Sequence, residues 1–166
     1  PLKATLMTRD YTSLPAKASL KKWCPIPKSQ GRYGTCVGWS SAYAARTIVE
    51  ARSKGWTDKQ KITSNTFSPG FLYKLIKYKS DYGCKRGSHI SDAMQVMMNR
   101  GVPKYTVLPT SCVSEIPSNV FNKANSYKIQ DYARLFDQGY GKNLKIRSMK
   151  KSLAAGHPIV IGMKCP

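Results

Sequence analysis

The stretch that most limits how this chain can fold is the run from Thr35 to Arg52. Trp39, Ala42, Tyr43, Ile48 and Val49 recur at helical spacing, and Ala44 and Ala45 add a second, small face. The pattern predicts a helix over 36–52 with Thr35 as its cap. A helix with small or apolar residues on so many sides is buried, so the rest of the chain must pack around it. Just upstream, Gln30-Gly31-Arg32-Tyr33-Gly34 is a turn-rich loop with two glycines. Residues 1–30 read as extended, because Pro15, Pro25 and Pro27 forbid a long helix there.

Further elements follow from caps and stripes. Ser68-Pro69 starts a second helix, with Phe71, Leu72, Leu75 and Ile76 as its buried face. A third spans about 91–100 with the stripe Ala93, Met94, Met97 and Met98, and Gly101 closes it. The methionines are read as core packing. Beyond it, 102–109 is extended, 117–124 a short helix, and 127–135 weakly strand-like. Residues 145–155 form a basic amphipathic helix ended by Gly156, and 158–163 an apolar strand.

The chain has 166 residues, enough for one full domain or a large part of a two-lobed protein. Its 41% hydrophobic content is that of a globular protein. No run of eighteen apolar residues appears, so no membrane span is expected. The sequence opens at Pro1 with no leader pattern, which implies a trimmed chain.

The formal charge is +20, from 28 Lys and Arg against 8 Asp and Glu. Such a balance favours acidic partners. The cations are spread from Lys3 to Lys164, however, and the densest clusters are pairs such as Lys21-Lys22, Lys85-Arg86 and Lys150-Lys151. With no basic block interleaved with aromatics and no recognition motif, nucleic acid is not an expected partner. The five cysteines are Cys24, Cys36, Cys84, Cys112 and Cys165. They lack paired CxxC spacing, and His89 and His157 are too far apart for a zinc motif, so no metal or cofactor is expected.

Cys36 is the residue with chemistry to offer. A thiol at the start of a helix meets unpaired N–H groups and the positive end of the dipole, which favour its nucleophilic form. The same N–H groups can hold a developing oxyanion. Gln30 can add a side-chain N–H to that hole, and the glycines let the loop pass close to a substrate backbone.

The pattern Gln30-Gly-x-x-Gly34-x-Cys36, followed by an aromatic- and Ala-rich helix, resembles the signature of papain-like cysteine peptidases. The run 23–28 resembles the lead-in to that family's glutamine. Ser68-Pro69 with Phe71-Leu72-Tyr73 resembles its second helix, and Gly83-Cys84-Lys85-Arg86-Gly87 its Gly-Cys-x-Gly-Gly loop. Asp92-Ala93-Met94 and Gly101-Val102 follow as in many bacterial members, and 149–163 resembles a later helix-and-strand element.

The resemblance implies an α+β, two-lobed papain-like fold. An extended segment (1–30) would cross to the barrel lobe, a helical lobe (31–110) would carry the nucleophile helix, and 111–166 would start an incomplete β-barrel lobe. Cys36 would be the nucleophile and Gln30 the oxyanion donor. Gly34, Arg86, Gly87, Ser88 and His89 would line the substrate cleft. The substrate would be a polypeptide, and a proteinaceous inhibitor or the missing C-terminal half as a second chain would be the partner. Family members are commonly exported, so a secreted or periplasmic location is implied.

Three departures matter. Tyr33 stands where the family has a disulfide cysteine, so Cys84 is free or paired elsewhere, with Cys112 as one option. Arg86 replaces a common glycine and puts a charge at the cleft edge. The family's base, a His helped by Asn, is not recognisable. His157 precedes Pro158-Ile-Val-Ile, a context that matches the element before the catalytic His, and is read as non-catalytic. The chain is therefore expected to end before the base, leaving hydrolysis by this fragment impaired. Two other readings stand beside the peptidase. One is a toxin-like or inactive papain-like module that binds a partner through its cleft. The other is a basic nucleic-acid-binding protein with Cys36 merely buried.

Overall fold

The computed structural model describes residues 2–3 and 13–163. Among these, helices dominate. Three helical segments, Cys36–Gly38, Trp39–Arg46 and Thr47–Ser53, run on without a break as α1 (36–53). The middle segment has the wide π turn, with hydrogen bonds reaching five residues back. Then come α2 (Lys59–Ser64), α3 (Pro69–Ile76), α4 (Ile90–Asn99), α5 (Ser118–Asn125) and α6 (Lys142–Ala154). Short 3-10 turns lie at Lys21–Trp23 and Tyr105–Val107.

Local chemistry sets these boundaries. Ser68 caps α3: its Oγ accepts from the Phe71 N–H at 3.2 Å and donates to the Leu108 carbonyl at 2.7 Å, and Pro69 fills the first turn. Asp58 caps α2 through the Lys61 N–H at 2.7 Å. Gly101 ends α4 in the left-handed region (φ +75°), where a Cβ would also strike the Ala124 carbonyl oxygen at 2.1 Å. Thr35 stands at the cap position of α1, but its hydroxyl makes no capping bond and is buried without a partner. With φ −97° and ψ 20° its backbone is not extended, which is the conformation that aims a cap's side chain at the helix N–H groups.

The core forms where α1, α3 and α4 meet. Val37 and Ala42 pack with Phe67, Phe71, Leu72, Ala93 and Met97, and Val102, Val120 and Ala124 close it. The approach of α1 to α3 is backbone to backbone, since a Cβ on Gly38 would lie 2.5 Å from the Pro69 carbonyl oxygen.

The β content differs from expectation. Among the described residues the only sheet is a parallel pair, Leu2–Lys3 (β1) with Ala133–Arg134 (β2), in the register Leu2↔Ala133 and Lys3↔Arg134. Residues 158–163 run as coil, and 102–109 is broken by the turn at Tyr105–Val107. A strand requires a neighbour to receive its N–H and C=O groups, and no described segment pairs with 158–163. No β lobe is seen among the described residues. None of their helices is long and apolar enough to cross a membrane.

Candidate active site

The loop before α1 is held from both sides. Tyr43, on α1, donates its hydroxyl to the Ile26 carbonyl at 2.8 Å, and the Lys28 ammonium sits 4.6 Å from the centre of the Tyr105 ring. Trp39, Tyr43 and Tyr105 pack together, and the Trp39 indole donates to Ser111 Oγ at 3.1 Å. These contacts fix the chain that leads into Gln30 against the helix that carries Cys36.

At the other end of the loop, the Gly34 N–H donates to the Cys84 carbonyl at 2.7 Å. A Cβ on Gly34 would lie 2.6 Å from the Lys85 carbonyl oxygen, so only glycine permits this approach. Gly34 thus docks the glutamine loop on the 84–88 loop. Cys36 follows as the first residue of α1, exposed and with a free thiol. This placement removes the premise of a merely buried Cys36.

Gln30 is half-buried, and its Nε2 donates to the Tyr33 carbonyl at 2.8 Å. A carboxamide has two N–H donors, so one of Gln30's remains after this bond.

The 84–88 loop is organised by Asp81, which the sequence reading passed over. Its buried carboxylate accepts from the Tyr73 hydroxyl at 2.6 Å and from the N–H groups of Lys85 and Arg86 at 2.9 and 3.3 Å. The Tyr73 hydrogen bond, then those two N–H groups and the nearby Lys77 charge, hold the Asp81 carboxyl below its ordinary pKa against the opposing effect of burial. Burial and the bond to Asp81 push Tyr73 well above its ordinary value. The available signal was that Asp81 is the sole acid between Asp58 and Asp92 in a Lys-rich stretch.

Cys84 itself takes a left-handed backbone (φ +53°) and is bonded to Cys112. Of the two options left by Tyr33, pairing with Cys112 is the one found. Cys24 is free, and Cys165 lies outside the described residues.

Arg86 is exposed, 5.6 Å from the Tyr78 ring centre, and donates to Ser80 Oγ at 2.7 Å. Gly87 has φ +74° and is half-buried. Ser88 is also half-buried, its Oγ enclosed without a partner. His89 is exposed at the start of α4 with Nε2 3.0 Å from the Tyr78 hydroxyl. The fold therefore brings Gly34 and the 84–88 loop together beside the first turn of α1.

His157 is elsewhere. The adjoining Gly156 abuts the Arg52 guanidinium, which would lie 2.5 Å from a Cβ there, and Arg52 is sixteen residues after Cys36 on the same helix. At about 1.5 Å per residue that is roughly 24 Å of helix, so His157 belongs to the far end of α1. Among the described residues no three His, Cys, Asp or Glu side chains gather as metal ligands would.

No family model matches this sequence. No curated protein matches it. Among solved structures, the chain matches xylellain, a cysteine protease from Xylella fastidiosa, with a TM-score of 0.62 at 22% identity. The match covers 87% of this chain and 55% of that one, so the chain spans about half the length of that protease. Over the part it spans, the chain carries a papain-like cysteine protease fold.

Proposed function

We propose that this chain is the nucleophile-bearing part of a papain-like cysteine peptidase. The observation that carries the reading is one exposed, free thiol, Cys36, at the first residue of α1, on a loop that Gly34 docks against the 84–88 loop. In the reaction, the Cys36 sulfur attacks the scissile carbonyl carbon and the C–N bond breaks. The proton that leaves the Cys36 thiol passes through the general base to the leaving amine, and water then releases the acyl group from sulfur as a carboxylic acid, restoring the thiol. The N–H groups at the start of α1 and the remaining Gln30 N–H stabilise the oxyanion. Gly34, Arg86, Gly87, Ser88 and His89 form the cleft wall, and the charge of Arg86 favours acidic or polar substrate side chains.

His157 lies at the far end of α1, and the Nε2 of His89 is engaged by Tyr78. The base is therefore assigned to a segment other than these. A barrel lobe opposite the helical one would complete the cleft, with residues 1–30 crossing to it and 111–166 beginning it. The Cys84–Cys112 disulfide suits an oxidising compartment, which supports a secreted or periplasmic placement.

The placement of His157 also favours a second reading, in which the cleft binds a polypeptide without cleaving it. An epoxide probe with a peptide recognition element separates the two. Labelling confined to Cys36 and abolished in Cys36→Ala, with peptide turnover by the full-length protein lost in the same variant, is the peptidase outcome. Turnover that survives Cys36→Ala refutes it. A folded Cys36→Ala protein is expected, since the side chain is exposed.

A further inference from the structure

Folding assembles a basic surface that the sequence shows only as scattered pairs. The turn Lys21–Trp23 packs against the end of α1 and against α2, which gathers Lys21, Lys22, Arg52, Lys54, Lys59 and Lys61 on one exposed surface. The pieces are tied together. Lys59 Nζ donates to the carbonyls of Lys21 and Cys24 at 2.6 and 2.8 Å. Lys22 and Arg52 lie 4.3 and 5.9 Å from the centre of the Trp23 ring, and Lys61 lies 5.2 Å from that of Trp56.

The positive charge is not neutralised locally. Asp58 is the exposed acid of the patch, and its Oδ1 is occupied by the Lys61 N–H. Glu50 is half-buried and turned to Arg46 and Lys104, at 3.0 and 3.8 Å. An indole beneath a cation restrains that cation's rotamers, so less conformational freedom is lost when it meets an anion.

We infer that this surface binds single-stranded nucleic acid, with its cations on successive phosphates and its two indoles beside the bases. Cations interleaved with aromatic rings are the pattern that follows an unpaired strand, whose bases are free to stack. A membrane surface fits less well. Both indoles are half-buried, and the exposed large apolar side chains nearest the patch, Ile26 and Val49, are single residues on separate elements, not the continuous apolar face an interfacial segment presents to acyl chains. The patch lies at the opposite end of α1 from Cys36, so a bound strand leaves that thiol accessible.

The test is fluorescence anisotropy with a labelled oligothymidylate of about 15 nucleotides, between about 25 and 200 mM salt. The triple variant Lys22→Gln, Lys54→Gln, Lys61→Gln should weaken binding at least about tenfold and flatten the log–log salt slope by about 2, at about 0.7 per lost phosphate contact. The charge-matched control Lys123→Gln, Lys128→Gln, Lys142→Gln should change affinity less than about twofold. Trp56→Leu should lose affinity several-fold with the salt slope unchanged, a split that a stacking role produces and a charge role does not. An equal loss in the control overturns the inference, because binding would then follow net charge alone. It is also overturned if a duplex of the same length binds as tightly, or if vesicles of anionic phosphatidylglycerol are bound and the oligonucleotide is not. The rate of epoxide labelling at Cys36 should not change when the oligonucleotide is bound.

Discussion

Breaking the Cys84–Cys112 bond is the perturbation whose size follows most directly from the structure. The bond closes a loop of 28 residues in sequence separation. In the chain-entropy treatment, ΔS of about −(2.1 + 1.5R ln 28), or about −12 cal/mol/K, corresponds to about 3.6 kcal/mol at 25 °C. The left-handed backbone of Cys84 works against this. A non-glycine residue there costs about 1 kcal/mol, part of which is recovered when the bond no longer holds it. The expected net loss is about 2.5–3.5 kcal/mol. Cys112→Ser is the cleaner variant, because Cys112 is half-buried whereas Cys84 is 1% exposed within tight packing. With a urea m-value of about 2 kcal/mol/M, the unfolding midpoint should fall by about 1.2–1.8 M. The experiment is a urea titration in a Cys36→Ala background, which removes thiol exchange at that site. A Cys112→Ser midpoint equal to the parent's would refute the reasoning, since relief of strain at Cys84, worth at most about 1 kcal/mol, cannot cancel the entropy of the open loop.

Three further outcomes are expected. Burial, with smaller contributions from Arg46 and Lys54, lowers Lys104 to about 8 against the opposing pull of Glu50, so between about pH 8 and 10.5 the unfolded chain binds the proton that the folded one lacks. Stability should therefore rise with pH across that window by about 1–3 kcal/mol, allowing for solvent at the edge of the ammonium group, and this rise should vanish in Lys104→Met when the two are compared by thermal unfolding. Asp81 gives a slope of the same sign at the acid end of the scale: its depressed folded pKa contributes stability that is present above the ordinary carboxylate range and is lost as pH falls through the folded value. The parent's melting temperature should then drop more steeply below about pH 4 than that of Asp81→Asn. Gly38→Ala should destabilise by about 1–3 kcal/mol in urea despite the better helix propensity of alanine, because its Cβ would meet the Pro69 carbonyl oxygen at 2.5 Å; a neutral or stabilising result would show that α1 and α3 can separate at no cost.

Periodicity and caps made most helices legible. The expected helix over 36–52 is found at 36–53, and that over 91–100 at Ile90–Asn99. Ser68-Pro69 marked the start of α3 because the cap's hydrogen bond is local, as is the ring of proline. The helix Lys59–Ser64 escaped notice because it is short and polar, with Ile62 alone fully buried, and only the capping Asp58 announces it. Strands were harder. An apolar run such as 158–163 states that a segment wants burial, not that a neighbouring strand exists to pair with it. The resemblance supplied a barrel from the remainder of a fold of which this chain spans about half.

The same division runs through the candidate site. Gln30, Gly34 and Cys36 lie within seven residues, so their relation is already a local one in the sequence. Asp81 and Tyr73 meet only because α3 and the following loop fold back on each other, and no local pattern marks a carboxylate that spends itself on a tyrosine and two N–H groups. Arg46 makes the point most sharply. Amphipathic logic puts an arginine on a helix in water, yet it is 7% exposed, paired with Glu50 at 3.0 Å and resting 4.4 Å from the centre of the Phe67 ring, with Lys104 4.0 Å from the same ring. Two cations and one carboxylate buried together would be expensive in hydrocarbon alone. The ring and the Asn65 carbonyl, which accepts from Lys104 at 3.0 Å, replace part of the lost water, and both come from the segment 65–67, far in sequence from Arg46 and Lys104. What a sequence conceals is thus less the chemistry of each side chain than the distant group that makes its burial tolerable.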